Sequence, residues 1–180
     1  MTSLAWERRF ETALTPAELE EITALLQRAF PGHPGGIRRG WSGERPELRL
    51  LGRDRGRLVA HIGILRRFIR VRATDAAVLA ADVGLVCVDP EQQRGGLGRA
   101  LMERAAAEFV ALGVEFGTLT TGEDRVGFYQ AVGWVRAATP VLHAIDLDNA
   151  VEGFTGPLMY RAVSGAPWPE GELERNGREI

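Results

Sequence analysis

The chain has 180 residues and a mass of 19.7 kDa, which is the size of one ordinary domain and short for two. All 22 basic residues are arginine, so a Schiff-base lysine, an amine nucleophile and the lysine of a phosphate-binding P-loop are excluded. The formal net charge of −2 argues against a protein that binds nucleic acid through general electrostatics.

The first predicted elements are a short strand and an amphipathic helix. Leu4–Phe10 fits the strand. Thr15 followed by Pro16 marks a helix start, and Glu18 completes the pattern of a capping box. The helix then carries an apolar face formed by Leu19, Ile22, Leu25, Leu26 and Phe30. We expect the helix to end before Pro31.

A long loop rich in glycine and proline follows at Pro31–Pro46. Loops of this length are unusual inside a compact domain and are commonly functional or disordered. One interpretation is a surface connection. Trp41 and the arginines of the loop favour the other, a loop that faces the substrate, and Glu47 just beyond it is a further candidate contact or a solvated strand start.

Three successive strands predict an antiparallel meander. Glu47–Arg53 and Arg57–Val71 are joined by a tight turn at Asp54–Gly56. A second turn contains Asp75 and precedes the apolar strand Ala76–Val88. The second strand carries Arg66, Arg67, Arg70 and Arg72, which either neutralise a phosphate or solvate a sheet edge, the simpler interpretation.

The second half of the chain alternates helices and strands. The predicted elements are a helix over Gly96–Leu112, a strand over Val114–Leu119, a short helix over Asp124–Val132, strands over Val141–Leu147 and Pro157–Val163, and an irregular tail over Ser164–Ile180. The order predicts one α/β domain over residues 1–180, with a central mixed, largely antiparallel sheet flanked by helices.

A glycine-rich turn between a strand and a helix, Gln93–Gly98, is the most informative segment. Glycines allow close backbone approach to an anion, and the N-terminus of a helix offers unpaired N–H groups and a positive dipole end. The segment lacks a P-loop lysine, and Gly96-x-Gly98 lacks the third glycine of a dinucleotide fingerprint. The pattern therefore predicts a diphosphate site, with a purely structural turn as the alternative.

The same residues resemble a known signature. Gln93-Arg94-Gly95-Gly96-Leu97-Gly98 is similar to the Q/R-x-x-G-x-G/A motif of the GNAT superfamily of acyl-CoA-dependent N-acyltransferases. The resemblance implies that the loop amides hold the pyrophosphate of coenzyme A, and that Leu85–Val88 pairs with the pantetheine arm. The residues so implied for binding acetyl-CoA, or another acyl-CoA, are Val86, Cys87, Val88, Gln93, Arg94, Gly95, Gly96, Leu97, Gly98 and Arg99.

A second segment, Phe128–Trp134, resembles the F/L-Y-x-x-x-G-F/W element of the same superfamily. The resemblance implies that Tyr129 lies near the coenzyme sulfur and protonates the departing thiolate. Gly122 and Arg125 stand where the superfamily often has asparagine and alanine. The expected contacts of this helix with the cofactor therefore rest on Phe128–Trp134 alone.

A narrower resemblance covers other parts of the chain. Trp41–Glu47, Ala60–Val71, Trp168–Gly171 and Arg175–Gly177 are similar to the nodulation N-acyltransferase (NodA) family, which transfers an acyl group to the free amine of a deacetylated chitin oligosaccharide. The Ala60-His61 strand and the Tyr129 region are also similar to the aminoglycoside N-acetyltransferases.

Acyl transfer to an amine needs a proton acceptor, and the candidates are Asp82, His61, Glu47 or an ordered water. Asp82 interrupts an apolar run, and strand alternation predicts that it shares a face with Gly84 and Val86. The nodulation family carries a carboxylate at this position. A structural aspartate paired with an arginine is the alternative, as is a hydrogen-bonded core histidine for His61.

Cys87 is the single cysteine, so no internal disulfide is expected. It is either a nucleophile or, because valines flank it, an inert core thiol. His33 and His143 have no metal-ligand spacing, and no metal site is predicted. The sequence shows no signal peptide and no stretch near the ~20 apolar residues of a membrane helix, so a cytoplasmic protein without membrane contact is expected.

These observations predict an N-acetyltransferase that moves an acetyl or other acyl group from acyl-CoA to a primary amine. The expected acceptor is a small polar molecule such as an amino sugar or aminoglycoside, held by Trp41 and Glu47 and attacking directly in a ternary complex. Two alternatives are a long-chain N-acyltransferase of the nodulation type that uses acyl carrier protein, and a non-catalytic acyl-CoA-sensing module. No nucleic-acid partner is expected, and a homodimer is left open.

Overall fold

The computed structural model describes residues 4–32, 37, 40–41, 43–74, 76–145, 148 and 150–180. Parts of the predicted loop at Pro31–Pro46, including His33, lie outside the described residues. So do Asp75 of the predicted turn and the last two residues of the predicted strand Val141–Leu147.

The described residues form ten strands and three α-helices. The strands are β1 (Leu4–Phe10), β2 (Leu48–Asp54), β3 (Arg57–Val71), β4 (Ala77–Val88), β5 (Phe116–Thr120), β6 (Val135–Arg136), β7 (Leu142–Ile145), β8 (Val151–Phe154), β9 (Leu158–Ala162) and β10 (Leu173–Asn176). The helices are α1 (Pro16–Ala29), α2 (Leu97–Ala111) and α3 (Val126–Ala131). The expected mixed, largely antiparallel sheet is confirmed, because only the β4–β5 and β7–β10 pairs among the described pairings are parallel.

The chain divides into two compact units. The first comprises Met1–Leu65, Val83–Ala105 and Glu179–Ile180, and the second comprises Arg66–Asp82 and Ala106–Arg178. β3, β4 and α2 contribute residues to both.

The first unit pairs β1, β2 and β3 antiparallel. Helix α1 begins as the sequence predicts: the Thr15 side chain accepts from the Glu18 amide, and the Glu18 carboxylate accepts from the Thr15 amide at 2.8 Å. These reciprocal bonds satisfy amides that have no partner inside the helix. The apolar face of α1 then packs in a core with residues of the strands. Its buried members are Ile22, Leu25, Leu26, Ile37, Leu51, Leu58, Leu85, Cys87 and Ile180.

The second unit has its own core beneath strands that follow the order β6-β9-β5-β4-β3-β10-β7-β8. Phe116 of β5 is a fully buried member of this core and lies edge-on to Trp168 at 5.1 Å, and the Trp168 ring stacks on Tyr160 at 4.4 Å. Edge-to-face and offset stacked aromatic pairs are the favoured geometries. Residue Trp168 of the predicted irregular tail therefore packs against this core.

The prediction of an irregular tail is wrong for Leu173–Asn176, which forms β10 between β3 and β7. Leu173 and Arg175 are its buried residues. Because one of these two is charged, the four-residue strand has no apolar run that would indicate it. β6 and β8 were missed as well, since they have only two and four residues.

Candidate functional site

The glycine-rich turn forms the predicted link between β4 and α2. A short 3-10 turn at Pro90–Gln92 follows β4, and α2 begins at Leu97. Arg94 and Gly96 have φ angles of +66° and +84°, in the left-handed region. The residues from Gln93 to Gly96 are exposed. Because the first amides of a helix have no intrahelical partner, this exposed turn can bind an anion through its backbone.

Asp89 anchors the start of this turn. It is buried, its Oδ1 accepts from the Glu91 amide at 3.1 Å, and its Oδ2 accepts from Arg28 at 2.9 Å and Arg57 at 2.8 Å. Burial alone raises the pKa of Asp89, but the hydrogen bonds from Arg28 and the Glu91 amide outweigh it and hold the pKa below its ordinary value. The Gln93 side chain donates to the carbonyl of Val88 at 3.2 Å, which ties the turn back to the strand.

The side chains at the end of β4 alternate between the core and partial exposure. Cys87 points into the core of the first unit, whereas Val86 and Val88 are half-buried. Burial, followed by the charge of Asp89, raises the pKa of the Cys87 thiol to about 12. The thiol is therefore protonated near neutral pH, and the geometry fits the core interpretation and not a nucleophile.

Leu85 interrupts the regular geometry of β4. Its φ is +52°, which is a strained value for a residue with a branched side chain. The alternation predicted from Asp82 onward therefore passes through a distorted residue. Gly84, Val86 and Val88 are half-buried, while Asp82 is buried in the second unit.

His61 is fully buried beside this distortion. Its Nδ1 donates to the Leu85 carbonyl at 2.9 Å, and its Nε2 accepts from Arg49 Nη1 at 3.0 Å. Burial, with the charge of Arg49 second, lowers the pKa of His61 to about 3. A neutral imidazole with both nitrogens engaged is a poor general base, so the geometry speaks against the predicted catalytic role and fits the core-histidine alternative.

Arg49 was not identified from the sequence. It has no exposed surface, and its guanidinium donates to the Gly40 carbonyl at 2.7 Å and to Glu11 at 2.6 Å, besides His61. The network therefore links the predicted loop to β3. Strand alternation places Arg49 on the same face as Leu51, which is buried, but a charged residue on an apolar face is not by itself a signal of a buried arginine.

Asp82 lies in a buried ion-pair cluster of the second unit. Its Oδ2 accepts from Arg175 at 3.1 Å and lies 3.2 Å from Arg67 Nε, and Thr118 Oγ1 donates to its Oδ1 at 3.5 Å. The three charged residues are each less than a tenth exposed. The alternative of an aspartate paired with arginine is what the geometry shows, and a catalytic role for Asp82 stays a prediction.

The arginines of β3 do not solvate a sheet edge as the simpler interpretation expected. β3 lies inside the sheet between β4 and β10. Arg67 is buried against Asp82, and the exposed Arg70 pairs with Glu174 of β10. The length of β3 and its apolar first half were the features of the sequence that indicated an internal strand, whose arginines pair with carboxylates of the neighbouring strands.

Tyr129 lies on α3 and is buried. Its ring lies edge-on to Phe128 at 5.1 Å and to Trp134 at 6.0 Å. Burial raises the pKa of its hydroxyl to about 12, although the charge of Arg125 opposes this. The hydroxyl therefore keeps its proton near neutral pH, as a proton donor must.

Of the two predicted acceptor contacts, Trp41 has the more informative surroundings. The guanidinium of Arg45 lies 4.1 Å over the Trp41 ring, and the ring packs on the core of the first unit. Glu47 is half-buried and its amide donates to Ile64 at 2.8 Å, which fixes the end of the loop to β3. A role for either side chain in binding a substrate stays a prediction.

Within the part of the chain that the structure describes, no three His, Cys, Asp or Glu side chains are grouped to hold a metal ion. No helix there is both long enough and apolar enough to span a bilayer.

Comparison with known sequences gives a consistent picture. The family model described as Nodulation protein A (NodA) matches residues 1–156. The nodulation protein A of Bradyrhizobium sp. (strain ANU 289) is 35% identical over an alignment 198 residues long with its gaps, which covers 99% of this chain and 93% of that protein. The nodulation protein A of Rhizobium meliloti (strain 1021) is 31% identical, with 97% of each chain covered.

Solved structures show the same fold at lower identity. A GNAT family acetyltransferase from Brucella melitensis in complex with acetyl-CoA has a TM-score of 0.60 and 19% identity, covering 94% of each chain. Escherichia coli ElaA has a TM-score of 0.64 and 18% identity, covering 88% of this chain and 99% of its own. The described fold is therefore the α/β fold of the GNAT acyltransferases, as the loop signature implied.

Proposed function

The chain belongs to the nodulation protein A family and is an N-acyltransferase, and on this premise we propose that it moves an acyl chain from a thioester donor to the free amine of an amino-sugar oligosaccharide. The observation that carries the proposal is the turn at Gln93–Gly98, which is exposed from Gln93 to Gly96 and leads into the N-terminus of α2, in a chain with family similarity over residues 1–156. Acceptors of the aminoglycoside type are supported only by the resemblance of the His61 and Tyr129 regions.

Two donors fit the turn, because coenzyme A and acyl carrier protein both present a thioester on a phosphate-linked pantetheine arm. Family membership supports the nodulation type, in which the donor is an acyl carrier protein, over the acetyl transfer from coenzyme A that the sequence first suggested. Acetyl transfer from coenzyme A is the second candidate function. Tyr129 favours it, because the superfamily resemblance implies a protonated tyrosine beside the sulfur of ordinary coenzyme A thioesters.

The chemistry assigned to the chain's own residues is limited to binding and proton transfer. A bound acyl thioester supplies the acyl group and the leaving thiolate. The amides of Gln93–Gly98 hold the phosphate, and the backbone of Leu85–Val88 orients the arm. The acceptor nitrogen forms a bond to the acyl carbon as the carbon–sulfur bond breaks, and Tyr129 gives its proton to the sulfur and regains one from solvent.

The proton that the amine loses requires a separate acceptor. Both ring nitrogens of His61 are engaged inside the core, and Asp82 is held by two arginines. We therefore assign this proton to an ordered water that passes it to bulk solvent, with Asp82 and the half-buried Glu47 as the remaining side-chain candidates.

The test is turnover by the purified protein, followed by mass spectrometry. The donors are acetyl-CoA, palmitoyl-CoA and palmitoyl acyl carrier protein, and the acceptor is a chitin oligosaccharide with one free amine. We expect one added acyl group on that oligosaccharide and none on the fully acetylated oligosaccharide, which is the matched control. Donor binding without any product would instead support the sensing module. The absence of both donor binding and product would overturn the proposal.

A further inference from the structure

Ile180 fills a space over two glycines in the first unit. A Cβ built at Gly84 of β4 would lie 2.7 Å from the Cβ of Ile180 and 2.9 Å from its backbone oxygen. A Cβ at Gly63 of β3 would lie 3.2 Å from Ile180 Cγ2 and 2.8 Å from Pro46 Cγ. The two glycines therefore form a floor without side chains, and the Ile180 side chain, 4% exposed, occupies it.

The surroundings of Ile180 are apolar on one side and belong to a loop on the other. Its side chain joins the core cluster that contains Leu85 and Cys87. The carbonyl of the preceding residue, Glu179, accepts from the Glu44 amide at 2.7 Å. Ile180 is thus held between the loop before β2 and the distorted part of β4.

The direction in which β4 runs places the space over Gly63 and Gly84 next to the proposed position of the acyl donor. The turn proposed to hold the phosphate follows the C-terminal end of β4, so an arm that lies along Leu85–Val88 runs back toward Gly84. Four strand residues span about 13 Å. The thioester then lies beside Leu85, and an acyl chain that continues in the same direction enters the space over Gly84.

We propose that Ile180 determines the length of the acyl chain that the enzyme accepts. The side chain occupies the first part of an apolar path over Gly63 and Gly84, and a long acyl chain binds only when Ile180 leaves it. A two-carbon acyl group ends before that path, so its binding and transfer do not depend on Ile180. This inference rests on the proposed function, because it assumes an acyl thioester along β4.

The main test compares Ile180→Ala with Ile22→Ala. Both variants remove the same atoms from the same core cluster, but Ile22 lies on α1, near Gly40. The measured quantity is the ratio of kcat/KM for palmitoyl and acetyl donors with one acceptor. We expect Ile180→Ala to raise this ratio at least about tenfold, the equivalent of about 1.4 kcal/mol, and Ile22→Ala to leave it unchanged. An unchanged ratio in Ile180→Ala, or an equal rise in both variants, would overturn the proposal.

A second readout separates this inference from the proposed function. Cis-parinaric acid, a fluorescent long-chain fatty acid, reports an open apolar path without any turnover. We expect it to bind Ile180→Ala at least about tenfold more tightly than the wild type or Ile22→Ala. If the wild type transfers no acyl group, the proposed function fails, while equal binding of this probe by all three proteins overturns the role of Ile180. Ile180→Val, which keeps most of the packing, should show an intermediate effect if Ile180→Ala fails to fold.

Discussion

The Nδ1 of His61 donates a 2.9 Å hydrogen bond to the carbonyl of Leu85, the residue of β4 whose φ is +52°. A strained backbone persists only where its surroundings fix it. The buried imidazole supplies one such restraint, and Arg49 extends it to the Gly40 carbonyl. His61 therefore supports the distorted strand, and the resemblance of the Ala60-His61 strand to the aminoglycoside N-acetyltransferases requires no catalytic histidine.

This arrangement predicts a pH-dependent stability. The pKa of His61 is about 3 in the folded protein and 6.5 in an ordinary histidine. Between these values the unfolded chain binds a proton that the folded chain does not, so stability falls as the pH falls, by up to about 1.4 kcal/mol per pH unit. Above pH 6.5 the imidazole is neutral in both states, and the stabilising contribution of the buried His61 is fully present. Denaturant unfolding between about pH 5 and 6.5 should show this slope in the wild type and not in His61→Gln. Below about pH 5, the lowered pKa values of Glu18, Glu21 and Asp89 add a slope of the same sign to both proteins.

His143→Gln is the matched control, because it removes a histidine from the second unit and leaves His61 in place. It should retain the slope that His61 produces. An equal slope in the wild type and His61→Gln would mean that His61 is protonated in the folded protein, contrary to its hydrogen bonds.

The buried carboxylate of Asp82 predicts a large cost of substitution. Asp82→Asn leaves Arg67 and Arg175 buried without their shared anion, and breaking such a cluster costs about 3–5 kcal/mol in the free energy of unfolding. In an Arg175→Met background the same change should cost less, because one of the two cations is already absent. Denaturant unfolding of the four proteins gives the coupling directly.

A surface ion pair provides the control for Asp82. Glu152 and Arg178 pair at 3.0 Å with more than half of each side chain exposed. Glu152→Gln should cost at most about 1 kcal/mol. If Asp82→Asn were as mild as Glu152→Gln, the buried cluster would not stabilise the fold, and a role of Asp82 in proton transfer would become the better explanation for its burial.

The sequence predicted those features that depend on neighbouring residues. The capping box of α1 and the turn at Gln93–Gly98 are local patterns, and the structure has both at the predicted positions. The partners of Asp82 were not predictable, since Arg175 lies 93 residues along the chain in a strand whose polar sequence resembles a loop. Likewise, the left-handed φ of Leu85 has no glycine or asparagine to indicate it.

Two adjacent glycines, Gly95 and Gly96, test whether the turn at Gln93–Gly98 holds the phosphate of the donor as proposed. Gly96 has a φ of +84°, and a Cβ added there would meet no atom within 4 Å, so Gly96→Ala changes the backbone preference without a steric clash. An alanine in this region costs about 1–2 kcal/mol, and the turn amides should shift to relieve it. We expect the KM for the donor to rise about tenfold. Gly95→Ala is the control, because its nearest contact is an ordinary 3.7 Å to the Gln92 carbonyl.

The hydroxyl of Tyr129 provides the most direct test of the proposed chemistry. Tyr129→Phe keeps the ring contacts with Phe128 and Trp134 and removes only the proton donor. We expect kcat to fall by about 10²-fold or more, with little change in the KM for the acceptor. Because the pKa of Tyr129 is about 12, the wild-type rate should show no loss from its ionisation at neutral or mildly alkaline pH. Tyr160→Phe, in the same unit, should keep kcat unchanged, and a Tyr129→Phe enzyme with the wild-type kcat would assign the proton transfer to another group.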